Sequence, residues 1–169
     1  MSNLTIDFGF YQNALGNHVF LDDDMNTTLA STTNNGVWDA GEPVIAGVAV
    51  SLYADANGDG IPDSTTPIAM DTTNADGFYL FDGLPNGNFV VGLDGGNWMA
   101  GGALDSLISS SPDVTETDPN LDVDQNDNGI APASWNFADY LANGVNSGSI
   151  ELTAGGEPRG ETHVDAVEG

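Results

Sequence analysis

The chain has 169 residues, enough for one domain with a single core, and it sets 26 Asp and Glu against one basic residue, Arg159, for a formal charge of -25. With almost nothing to neutralise phosphate, it makes a poor partner for nucleic acid or an anionic membrane surface, and its own repulsion calls for cations. The absence of cysteine and lysine excludes disulfides, thiolate metal sites and an internal Lys-Asn isopeptide bond; with only His18 and His163, zinc is disfavoured and oxygen ligands for a hard cation remain.

The start, MSNLTIDFGFY, lacks the charged region of a signal peptide and alternates like a strand from Leu4 to Tyr11. Further strands are expected at Gly16 to Leu21, Val48 to Ala54, Ile68 to Thr72, Phe78 to Phe81, Asn88 to Leu93 and Ser149 to Leu152, separated by Gly, Pro, Asn and Asp. Alternation places Val48, Val50 and Leu52 on one face. The run from Gly77 to Val91 reads as two aromatic strands hairpinned across Pro85-Asn86-Gly87. From Gly95 to about Asn146 the chain is polar and too long for an ordinary connection, so it needs internal ordering, for which its acids are candidates. Within it, Ala133 to Leu141 is a short helix or a strand. The reading is all-β, an antiparallel β-sandwich with long loops.

Chemistry concentrates in those loops. A calcium loop spaces side-chain oxygens two residues apart, turns on a Gly, then offers a backbone carbonyl and later acids. Asp55, Asn57, Asp59, Gly60, the Ile61 carbonyl and Asp63 match positions 1, 3, 5, 6, 7 and 9, with Thr66 where the closing Glu belongs. A split loop begins at Asp22 and Asp24 and resumes at Asn35, Gly36, the Val37 carbonyl, Asp39 and Glu42; removing about nine polar residues, roughly 26 to 34, restores its register. A third has Asp124, Asn126, Asn128 and the Ile130 carbonyl at positions 1, 3, 5 and 7, with Asp122 adding an oxygen. Two to three or more calcium ions are expected. Asp71, Asn74 and Asp76, and the tail acids Glu157, Glu161 and Asp165, fit turns or a solvated face better than ligand roles. No enzyme is expected: Cys, Lys, HExxH and GxSxG are all missing, and neither His has a triad context.

Together, Leu15 to Asp22, Asn35 to Pro43, Ile45 to Leu52 and Thr73 to Leu84 resemble the calcium-binding B-repeat domains of bacterial surface adhesins, the SdrD B-like family, which is related to collagen-adhesin B-type domains. Gly101 to Leu104, Ser110 to Pro112, Asp122 to Ile130, Leu152-Thr153 and Gly156 to Pro158 extend the likeness to its longer members. The resemblance implies an immunoglobulin-like or prealbumin-like sandwich, calcium-ordered loops and an extracellular or cell-surface location.

Residues 3 to 11 resemble the final strand of that family, displaced to the beginning, which divides the chain into a donor-like segment 1–14 and a sandwich domain 15–169. A slice of a tandem array, a permuted domain, or donation of the strand to the next copy would each explain it. Donation through Leu4, Ile6, Phe8 and Phe10 makes copies of the chain its own partners and propagates head to tail into a filament or surface stalk. The alternative is an adhesin or carbohydrate-binding module that displays Trp98 and Trp135 to a glycan or surface protein.

Overall fold

The computed structural model describes residues 12–22, 34–39, 41–110, 119–120, 127–132 and 136–154. Their elements are β1 (Asn13–His18), β2 (Ala49–Ala54), β3 (Ala69–Thr72), β4 (Phe78–Leu84), β5 (Gly87–Leu93), a 3₁₀ turn at Gly95–Trp98, helix α1 (Phe137–Asn143), β6 (Val145–Asn146) and β7 (Ile150–Leu152). The expected strand Leu4 to Tyr11 lies outside the described residues, as does Trp135.

Among the described residues every strand pairing is antiparallel. One sheet pairs β1 with β4; the other runs β3-β2-β5-β6, with β7 also on β5. The period-2 pattern of β2 is realised: Val48, Val50 and Leu52 are all 0% exposed and meet Phe81 of β4 and Phe89 and Val91 of β5 in one core. Each such aliphatic side chain contributes about 1.5–3 kcal/mol by leaving water. The result is the β-sandwich that the alternation implies.

The Pro85-Asn86 connection does not close a hairpin. β4 pairs with β1, whereas β5 pairs with β2, β6 and β7, so the chain crosses from one sheet to the other at this corner. Asn86 accepts a hydrogen bond from the buried Asn13 amide at 3.0 Å, which ties the corner to β1. The expected hairpin pairing of these two strands fails because both edges of β5 are taken by β2, β6 and β7.

The segment after Gly95 is ordered differently from the expectation. Asn97 is buried and its side-chain amide accepts from Ala49 N–H and donates to Ala49 C=O, both at 2.8 Å, extending β2 like one more backbone unit. Trp98 packs on the fully buried Tyr140 of α1 with ring centroids 5.1 Å apart, and its indole donates to the Leu107 carbonyl at 3.0 Å. Aromatic burial and an amide clamp, more than acids, hold the described part of this long connection. Helix α1, capped by Asn136 accepting from Asp139 N–H, decides the helix-or-strand question for its part of Ala133 to Leu141. With Trp98 at 5% exposure, the ligand platform expected of it is overturned, because the ring is core.

Candidate metal centre

β2 ends at Ala54, and the next residue, Asp55, is 0% exposed. Its two carboxylate oxygens accept from Asp59 N–H at 3.1 Å and Gly60 N–H at 3.0 Å, and its carbonyl accepts from Gly58 N–H at 3.1 Å. Asp59 in turn accepts from Ile61 N–H at 2.9 Å, and Asp63 from Ala56 N–H at 2.8 Å. The turn needs Gly58 and Gly60 at φ of 69° and 75°, where a side chain is strained. Burial opposes ionisation of Asp55, but the Ser149 hydroxyl and the amides of Gly60, Asp59 and Gly58 outweigh it and hold the carboxyl below its ordinary value.

The same cradle recurs at Asp22. Its oxygens accept from Asn35 N–H at 3.2 Å and Gly36 N–H at 2.7 Å, its carbonyl accepts from Asn34 N–H at 3.3 Å, and Asn35 accepts from Val37 N–H at 2.8 Å. Asn34 and Gly36 have φ of 53° and 74°, matching Gly58 and Gly60. The first partner amide lies thirteen residues after Asp22 but four after Asp55, so the loop carries nine extra residues without changing its bonding. Asn35 donates to Asp39 at 3.0 Å, and the buried Glu42 accepts from Asp39 N–H at 2.9 Å. Trp38, whose indole donates to the Glu42 carbonyl at 3.3 Å, meets the His18 ring edge-on at 4.1 Å, giving His18 a packing role.

Asp24, Asp122, Asp124 and Asn126 lie outside the described residues; Asn128 and Ile130 lie within them. The stretch around Asn128 is not independent of the first loop, because Asp127 N–H donates to the Gly36 carbonyl at 2.7 Å. Burial raises the Asp127 pKa, opposed by Gly129 N–H and the Ser109 hydroxyl and reinforced by the charge of Asp22. The charge of Asp22 thus reaches an acid 105 positions later in the sequence, and both residues line one cavity. Sequence reading singled out Asp22 but missed Asp127, since no local pattern reports that distance. Ile130 is bonded to Asn146 through its N–H at 2.7 Å, and its carbonyl was the expected donor atom.

Among the described residues, no group of three or more Asp, Glu, His or Cys side chains forms a metal cluster. The side-chain oxygens that the two loops hold are those of Asp55 and Asp59 and of Asp22, Asn35 and Glu42, an oxygen set of the kind that suits a hard cation. Among the secondary candidates, Asp71 accepts from Leu80 N–H at 2.9 Å and Asn74 from Asp76 and Phe78 N–H at 2.8 and 3.1 Å, which are turn and edge roles. Glu157, Glu161 and Asp165 lie outside the described residues. No described helix is long and apolar enough to cross a membrane.

An antiparallel sandwich with acidic, glycine-turned loops at its strand ends defines a structural β-domain. The profile of the SdrD B-like domain matches residues 13–128, and the chain belongs to that family, which is not a family of enzymes. It is 34% identical over 128 residues, 74% of its length, to a protein named fibrinogen-binding protein from Staphylococcus epidermidis. It is 27% identical over 157 residues, 88% of its length, to serine-aspartate repeat-containing protein D of Staphylococcus aureus strain Newman. A third relative, serine-aspartate repeat-containing protein F of Staphylococcus epidermidis, is 29% identical over 157 residues. The chain spans 10%, 11% and 8% of these three proteins.

Proposed function

We propose that the chain is an extracellular structural subunit, stabilised by calcium in its Asp/Asn loops, that builds a surface stalk or filament by giving residues 3 to 11 to the next copy. The duplicated cradle carries the calcium part of this reading. Asp22 and Asp55 are fixed by the same amides at two places, one of them across a nine-residue insertion, as expected if the loop geometry itself is what matters. At millimolar calcium a site with a dissociation constant of about 10⁻⁴ M adds about 1.4 kcal/mol, so two or three sites give a large joint effect. Thermal melts in calcium and in EDTA test it: a lower melting temperature in EDTA is expected, and coincident melts would sink it. Electron microscopy of calcium-loaded protein at high concentration tests assembly, and a uniform monomer would overturn that part.

A second reading, a module of a larger adhesin, draws on the relative named for fibrinogen binding. Retention of this chain on immobilised host protein or glycan, measured by biolayer interferometry, would favour it.

A further inference from the structure

The sequence holds five Asn-Gly pairs, Asn35-Gly36, Asn57-Gly58, Asn86-Gly87, Asn128-Gly129 and Asn143-Gly144, and all five lie within the described residues. Such a pair carries its own reaction. The glycine amide nitrogen, with no Cβ beside it, attacks the asparagine side-chain carbonyl once it is released from its hydrogen bond and the chain is free to turn. What each glycine N–H is bonded to therefore ranks the pairs. Gly36 is buried and donates to the Asp22 carboxylate at 2.7 Å, and Gly129 donates to the Asp127 carboxyl, also at 2.7 Å. Gly144, buried at the end of α1, donates to the Tyr140 carbonyl at 2.8 Å. Gly87 is exposed but stands in β5 opposite Leu152 of β7, and the Asn86 side-chain oxygen is held by the Asn13 amide at 3.0 Å. Asn57-Gly58 differs from all of these. Both residues are exposed and outside any strand, and Gly58 N–H donates to the neutral Asp55 carbonyl at 3.1 Å. Bonds to charged acceptors are the stronger ones, so this amide is the least protected. The Asn57 amide nitrogen donates to Asp59 at 2.8 Å, which lays the side chain forward across Gly58, the direction that ring closure requires.

We propose that Asn57 is a site of spontaneous deamidation, with water as the only co-reactant. Gly58 N gives its proton to solvent base and bonds to Asn57 Cγ; the Cγ–Nδ2 bond breaks, and ammonia leaves with a proton from water. The resulting succinimide spans residues 57 and 58. Water then adds to one of its carbonyls and the ring C–N bond at that carbonyl opens. Addition at Cγ leaves aspartate, and addition at the main-chain carbonyl leaves isoaspartate, whose main chain runs through the former side chain. Either product adds a negative charge to a loop that already holds Asp55, Asp59 and Asp63. Isoaspartate also inserts a methylene between Asp55 and the Asp59 and Gly60 amides that its carboxylate holds, so the cradle loses its register. The loop that fixes Asp55 is thus where the folded chain ages first.

Full-length protein is incubated in EDTA at mildly alkaline pH, either folded or in urea, and sampled over time. Peptic peptides are measured by mass spectrometry, with electron-transfer fragmentation to separate aspartate from isoaspartate. In urea the five pairs should convert at similar rates. In the folded protein Asn57 should convert about fivefold faster than any other pair, the factor that one weaker amide bond allows. Asn57→Gln should remove this first product and leave the order of the remaining four unchanged. A different pair leading in the folded protein, or Asn57 still intact when the urea-treated chain is fully converted, would overturn the assignment. The measurement needs neither bound calcium nor assembly, so its failure leaves the proposed function as it stands.

Discussion

The loop after β2 and the loop after β1 hold an aspartate in the same way but at different cost. Asp55 is fully buried, reached by amides four and five residues on, and steadied by Ser149 from β7's approach. Asp22 is half-buried, reaches its amides only after nine additional residues, and has the like charge of Asp127 nearby where Asp55 has a hydroxyl. The Asp55 loop is therefore held by its own short closure and a hydroxyl, whereas the Asp22 loop closes over a longer insertion beside a second acid. The lesson is that a preserved hydrogen-bond pattern does not imply preserved stability when the closure length and the electrostatic surroundings differ.

The largest effect that follows is at Asp55. Asp55→Ala should cost about 3–4 kcal/mol, since hydrogen bonds to a charged group are worth about 1.5–3 kcal/mol each and the buried carboxylate accepts two from backbone amides. Asp22→Ala in EDTA should cost about half as much, as fewer partners lose their bonds and the site is partly solvated. Urea unfolding of both variants in EDTA checks this, and the opposite order would break the comparison.

Next in size is the closing acid. Glu42 is buried and bonded to Asp39 N–H, whereas the corresponding Thr66 is exposed, so of the two only the Asp22 loop has a carboxylate at this position. Glu42→Gln should weaken calcium there by about tenfold, the loss expected when a bidentate ligand goes, and leave binding at the Asp55 loop unchanged. Isothermal titration resolves the two classes, and equal weakening of both would remove Glu42 from the site.

The fold was largely legible because its signals are local. Alternation in Val48 to Tyr53 marks a strand and its inward face, the apolar run Phe89 to Val91 marks a strand but not a face, and Gly58 and Gly60 mark the turn that Asp55 needs. What was not legible is relational. Nothing near Pro85 reports that β5's edges are occupied, nothing near Trp98 reports Tyr140, and nothing near Asp22 reports Asp127. The two-residue β6 has too little sequence to carry a period, and it exists because Asn146 bonds Ile130 and lies beside Gly92.

The insertion offers a sharper cut. Deleting residues 26–34 would restore spacing but leave Met25 at the left-handed position that Asn34 occupies at φ 53° and Gly58 at 69°. Deleting 25–33 keeps Asn34 there. The shorter loop should gain about 1 kcal/mol from reduced closure entropy, and the variant retaining Met25 should lose about 1 kcal/mol relative to it. Equal melting temperatures for the two deletions would mean that the cradle conformation is not carried by Asn34.

The smallest effect concerns acidity, and it separates the loops by sign. The Asp55 pKa is lowered in the folded state, so its stabilisation is present above the ordinary value of 3.8 and is lost as pH falls through the folded value. The Asp127 pKa is raised, so between 3.8 and its folded value the native state holds a proton that the unfolded chain releases, and stability falls as pH rises through that window. In EDTA, Asp127→Asn should flatten the upper part of the stability profile and leave the acid limb governed by Asp55 intact. Calcium should flatten the wild-type profile in the same direction, because a cation between Asp22 and Asp127 removes the repulsion that the proton otherwise removes. Chemical denaturation across pH in EDTA and in calcium measures both, and a calcium-insensitive slope would place any bound ion elsewhere than between those two carboxylates.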